Sequence, residues 1–118
     1  MQTYRNLEVY KRAYKLALEI YKFSFTLPKQ LQYDIADDLR RAARSIISNI
    51  AEGYGRRKSN KDIASYLKIS PGSCNEVLFN LDFLKDLDLI SEERYKYFTK
   101  EYTICSKQLN KLISSLTK

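Results

Sequence analysis

Histidine does not occur anywhere in the 118 residues. Its absence removes the commonest general base, every Ser-His-Asp or Cys-His arrangement, and the Glu-x-x-His pattern by which helical bundles hold paired metals. Glycine and proline are nearly as scarce, at three and two residues, too few turn formers for an all-β chain. Cys74 and Cys105 have no metal-ligand spacing, and each falls on the apolar stripe of an expected helix. Both read as small buried hydrophobes. Without a disulfide framework, the reducing cytoplasm is the expected compartment. The opening stretch MQTYRNLEVYKRAYKLALEIYK carries charge throughout, and nothing approaches the roughly 20 apolar residues of a membrane span. No glycine-rich phosphate loop leads into a helix, because Gly53-Tyr54-Gly55 follows one. The paired carboxylates Asp37/Asp38 and Glu92/Glu93 fall in first helical turns, where acids offset the macrodipole. No catalytic residue, metal or cofactor is expected, and the chain does not read as an enzyme.

What is present is helical periodicity. A first helix is expected from Tyr4 to Phe25, with Val9, Ala13, Leu16, Ile20 and Phe23 at steps of four and three. Beside them runs a second stripe, Leu7, Tyr10, Tyr14, Ala17 and Tyr21, so the apolar face is wide enough for two neighbours. Pro28 breaks the pattern. Asp34 is placed to cap a second helix from Ile35 to Glu52, built on Ile35, Leu39, Ala42, Ala43, Ile46, Ile47 and Ile50. Gly53 reads as its stop. Ser59 caps a third helix whose stripe, Ile63, Leu67, Ser70, Cys74, Val77, Leu81 and Leu84, keeps its phase across Pro71, which predicts a kink rather than a break. Ser91 caps a fourth, with Tyr95, Phe98, Tyr102, Cys105, Leu109, Leu112 and Leu116 in seven-residue steps. Short connections make successive helices antiparallel neighbours. The expected fold is all-α: one domain over residues 1–118, an up-down-up-down, left-handed four-helix bundle with its third helix kinked near Pro71.

The net charge is +7, from 21 Lys and Arg against 14 Asp and Glu, which favours an anionic partner without identifying one. Position adds more. Arg40, Arg41 and Arg44 lie near the start of the second helix, where cations oppose the macrodipole. Two readings stand: offset by acids such as Asp37, or reach toward phosphates or another subunit. Glu52 has the reverse problem in the last turn and needs a cation, for which Arg56 or an arginine on a neighbouring helix is a candidate. Asn49, beside the apolar stripe, reads as a register- or oligomer-fixing residue in preference to a ligand contact. Arg56, Arg57, Lys58 and Lys61 crowd the second loop, suited both to a helix C-terminus and to gripping phosphate. Acids gather at the far end of the third and fourth helices (Glu76, Asp82, Asp86, Asp88, Glu92 and Glu93), so the molecule is polarised.

The stretch LRRAARSIISNIAEGYGR, Leu39 to Arg56, resembles the signature of the bacterial four-helix-bundle proteins encoded in 23S rRNA intervening sequences. LEVYKRAYKLALEIY near the start and GSCNEV at Gly72–Val77 fit the same family in register. The resemblance covers essentially the whole chain and extends to the accessory variability determinant of diversity-generating retroelements. It implies a homo-oligomeric ring, a homopentamer, of basic bundles that bind nucleic acid, RNA in preference to DNA, or a partner protein. Arg40, Arg41, Asn49, Glu52, Gly53 and Arg56 carry the motif. Where relatives often place a basic residue before the Gly-Ser pair, this chain has Pro71, so a cation is lost at that turn and a bend gained.

Overall fold

The four-and-three spacing of the first segment closes into helix α1 (Glu8–Ser24) in the computed structural model, which describes residues 3–56 and 59–118. Val9, Ala13, Leu16, Ile20 and Phe23 are all buried. The helix begins at Glu8 instead of Tyr4 because Tyr4–Asn6 form a separate 3-10 turn and Leu7 is extended, at φ −66° and ψ 133°. The break lets the Tyr4 ring meet the Tyr10 ring edge-on, with centroids 5.0 Å apart. Residues six apart in a continuous helix do not share a face, so that contact requires the interruption.

After a buried Leu27 and a 3-10 turn at Lys29–Leu31, helix α2 spans Ile35–Gly55. Asp34 precedes it as expected, but its carboxylate caps no N–H. Gly53 is not the stop. The helix runs through it, no glycine has a positive φ, and Arg56 forms the C-cap. Gly53 is buried because the next helix crosses there: a Cβ at this position would sit 3.0 Å from Tyr66 Cβ and 3.2 Å from the Ile63 carbonyl oxygen. The residue is needed for the missing side chain and not for its backbone freedom.

Helix α3 (Asn60–Leu67) starts where the Ser59 hydroxyl accepts from the Asp62 N–H at 3.2 Å, and helix α4 covers Ser70–Asp86. Lys68 and Ile69 between them both keep right-handed helical dihedrals. Pro71 has no N–H to give the Leu67 carbonyl, so the ladder lapses while the chain holds its course. The expected kink is realised as two segments of one bent arm. Its pairing with α2 shows this: Ile63 and Tyr66 lie against Gly53, Ser70 Oγ donates to the Ile46 carbonyl at 3.2 Å, Ser73 Oγ to Ser45 Oγ at 2.9 Å, and Asn80 Nδ2 to Asp38 at 2.8 Å. Partners rise along the arm as they fall along α2, so both segments run antiparallel to it.

Asp88, in the left-handed region at φ 60°, closes α4, with the Leu89 N–H donating to the Leu84 carbonyl at 2.9 Å. Helix α5 (Glu92–Leu116) then begins with the Ser91 hydroxyl accepting from the Arg94 N–H at 3.1 Å. It fills the remaining side, packing against α1, α3 and α4. The result is an up-down-up-down four-helix bundle with α3 and α4 as its third arm. Ile20, Leu39, Ile46, Ile50, Leu67, Leu81, Tyr102 and Leu109 fill the core, together with Cys74 and Cys105. Ile47, expected among them, is only half-buried and lines a groove between α1 and α2. Among the described residues, no helix is long and apolar enough to cross a membrane.

Replacing Gly53 by alanine gains helix propensity but overpacks α2 against α3, and neither Tyr66 Cβ nor a backbone oxygen can swing aside. The expected net loss is roughly 1–2 kcal/mol in chemical denaturation. Gly72→Ala, where a Cβ would meet nothing within 4 Å, should be neutral or stabilising by up to about 1 kcal/mol.

Candidate nucleic-acid interface

The antiparallel topology sorts charge to two ends. Arg12 of α1 ion-pairs with Glu101 of α5 and donates to Gln108 at 3.2 Å. The start of α1 and the second half of α5 therefore lie together, beside the α2–α3 junction. This end carries Arg5, Lys11, Lys15, Arg56, Lys61, Lys107 and Lys111. Lys61, Lys107 and Lys111 ion-pair with no carboxylate among the described residues. The other end gathers Asp34, Asp37, Asp38, Asp82, Asp86, Asp88, Glu92 and Glu93. Crowding there is visible at Glu76, whose carboxyl is pushed above its usual range by partial desolvation and then by Asp38 beside it.

The candidate cations do not form one patch. Arg40 and Arg56 stand about 24 Å apart along α2, from the helical rise. Arg40 is committed to the fold: its guanidinium donates to Ser24 Oγ at 2.7 Å, Gln32 Oε1 at 3.2 Å and the Gln32 carbonyl at 3.0 Å. It also lies 4.4 Å from the centre of the Phe25 ring. It clasps the α1–α2 connection with little left to offer a phosphate. Arg41 pairs with Asp37 at 3.2 Å, the i,i+4 arrangement expected of it. Arg44 is exposed, with no ion pair among the described residues.

At the other end of α2, Arg56 meets Glu52 at 2.9 Å, so the carboxylate stranded in the last turn has the cation it needs. Lys61 is exposed. Arg57 and Lys58 lie outside the described residues. Asn49 is half-buried and donates to the Ser45 carbonyl at 2.8 Å and to Ser45 Oγ at 3.1 Å. That hydroxyl also accepts from Ser73, so Asn49 belongs to a polar seam that sets α2 against α4 within one chain.

Arg5, Lys11 and Lys15, which are not among the candidates above, interleave with the second stripe of α1, whose Tyr10 and Tyr21 stay half-exposed and Tyr14 exposed. Cys74 and Cys105 are both fully buried; the hydrogen bond between them pushes the Cys74 thiol well above the ordinary thiol range and lowers that of Cys105. Among the described residues no cluster of three His, Cys, Asp or Glu side chains could hold a metal ion.

A family model described as 23S rRNA-intervening sequence protein matches residues 5–111. The structure is similar to that of a protein of unknown function from the S23 ribosomal protein family of Bacteroides thetaiotaomicron, with TM-score 0.78 and 26% sequence identity. The similarity covers 89% of this chain and 97% of that one. No curated protein matches.

Arg40→Ala, which strips three hydrogen bonds from the α1–α2 clasp, should lower unfolding stability by about 1.5–3 kcal/mol. Arg44→Ala should stay within about 0.5 kcal/mol. Urea melts of the two variants separate the structural arginine from the surface one.

Proposed function

Because the chain belongs to the 23S rRNA-intervening sequence protein family, we propose that it is a non-enzymatic, homo-oligomeric cytoplasmic scaffold that binds nucleic acid, RNA in preference to DNA, through the basic end of its bundle. The observation that supports this reading is the segregation of charge. Cations without carboxylate partners gather where the start of α1, the α2–α3 junction and the end of α5 meet, and most of the acids, Glu8, Glu52, Asp62 and Glu101 excepted, lie toward the opposite end. Such a field attracts a polyanion to one end and repels it from the other. Of the cations first singled out, Lys61, with Arg57 and Lys58 beside it in sequence, fits this surface. Arg56 contributes less, being offset by Glu52, and Arg40 contributes structure.

The half-exposed tyrosine stripe of α1 favours a second reading, a protein-interaction adaptor that assembles as a ring, five copies by family resemblance, and holds a partner protein with no nucleic-acid role. The two readings separate in an electrophoretic shift of labelled structured RNA and duplex DNA, using protein whose mass is fixed by light scattering. With about four phosphates neutralised, affinity should fall roughly a hundredfold between about 50 and 200 mM salt. The triple change Arg57→Glu, Lys58→Glu and Lys61→Glu should abolish binding while leaving the oligomer intact. An oligomer that binds neither ligand at low salt contradicts the nucleic-acid reading and favours the adaptor.

A further inference from the structure

Two shallow grooves adjoin on the outer side of α1. The first, of about 460 Å³, is lined by Arg5, Tyr10, Lys11, Tyr14, Lys15 and Leu18. The second, of about 380 Å³, shares Tyr14 and Leu18 and continues between α1 and α2 to Tyr21, Arg44 and Ile47. No carboxylate lines either groove, although the chain has 14. Lys11, Lys15 and Arg44 form no ion pair among the described residues. Tyr14 and Leu18, where the grooves join, are 47% and 52% exposed. The rings of Tyr10 and Tyr14 stand 5.9 Å apart and tilted by 38°; Tyr10 also meets Tyr4 and Tyr21 meets Phe25, which leaves Tyr14 the most exposed ring of the three.

The combination is specific. A lining of this kind favours an anionic partner over an uncharged one, although Lys11 and Lys15 also border a neighbouring groove that holds Glu8 and Glu101. A two-fold contact through this face would set its cations against the cations of a second copy. Open aromatic faces flanked by unpaired cations suit a strand that is anionic on one side and offers flat, unstacked rings on the other. A duplex satisfies only the first condition, because its bases are stacked on one another. The tyrosine track from Tyr10 to Tyr21 is about 16 Å long by the helical rise.

We infer that the α1–α2 groove is a binding site for single-stranded nucleic acid, with bases stacking on Tyr14 and its neighbouring tyrosines and phosphates held by Lys11, Lys15 and Arg44. The inference rests on the nucleic-acid reading above and adds the strandedness of the ligand and the path it takes. The strand enters from the basic end, where Arg5 and Lys11 lie, and runs up α1 toward Arg44.

The test is fluorescence anisotropy with a labelled oligoadenylate strand and a duplex RNA of equal length, using the full chain. Tyr14 is exposed, so its variants should fold, and circular dichroism checks that. Tyr14→Ala should weaken single-strand binding about fivefold or more while leaving the duplex unaffected; Tyr14→Phe, which keeps the ring, should bind like the parent. If Tyr14→Ala changes neither affinity while charge reversal at the α2–α3 junction abolishes both, the groove proposal fails and the basic-end reading survives. If neither RNA binds at low salt, both fail. If Tyr14→Ala lowers the oligomer mass without changing RNA affinity, the groove belongs to a second copy of the chain and the proposal is overturned.

Discussion

The close approach of α2 to the bent α3–α4 arm is the constraint on which the rest of the molecule depends. It is made by what α2 lacks. At Gly53 there is no side chain, and at Ser45 there is only a hydroxymethyl, which meets Ser73 at 2.9 Å. Backbones that come this near fix register, because a shift of one residue would put a larger side chain into the gap. Ser70 and Asn80 extend the same register along the arm by hydrogen bonds to the Ile46 carbonyl and Asp38. The Pro71 bend fits within it, since both segments still track α2. With the arm fixed, α5 and α1 close the remaining sides around Tyr102, Leu109, Ile20 and Leu16.

That register also decides where charge lies. Arg56 at the C-cap of α2 and Lys61 in the first turn of α3 lie at the same end of the bundle. Antiparallel packing brings the start of α1 and the end of α5 to the same place, as the contacts of Arg12 with Glu101 and Gln108 show. Acids in the first turns of α2 and α5 and the last turn of α4 are carried to the opposite end by the same geometry. Electrostatic polarity is thus a consequence of topology acting on an ordinary distribution of helix-end charges.

Most of the fold was legible in the sequence because the bundle obeys a single period. The buried stripes of α1, of the α3–α4 arm and through the middle of α5 lie where the four-and-three spacing puts them, and the Ser59 and Ser91 caps form as their positions suggest. The departures have local causes that no period encodes. Gly53 reads as a stop in one dimension and is a crossing point in three. Tyr4 continues the apolar pattern but leaves the helix to meet Tyr10. Ile47 lies on the core stripe yet faces the opening between α1 and α2. The site was only partly legible, for the same reason. The Arg56–Glu52 pair follows from spacing and dipole, whereas the fate of Arg40 depended on a connection, Ser24 to Gln32, whose shape the sequence does not specify. Arg5, Lys11 and Lys15 read in one dimension as single cations on a solvated helix face, and only the folded chain shows them lining a groove with Tyr10, Tyr14 and Leu18 along the outer side of α1.

The central claim, that nucleic acid is held at the basic end and along α1, is tested most directly by ultraviolet cross-linking of the bound oligomer to single-stranded RNA, with the linked residues located by mass spectrometry. The account predicts links at Tyr10 and Tyr14 and on peptides spanning the α2–α3 junction. Links concentrated on Tyr33, Phe79 and Phe83, three of the exposed aromatics toward the acidic end, would contradict it.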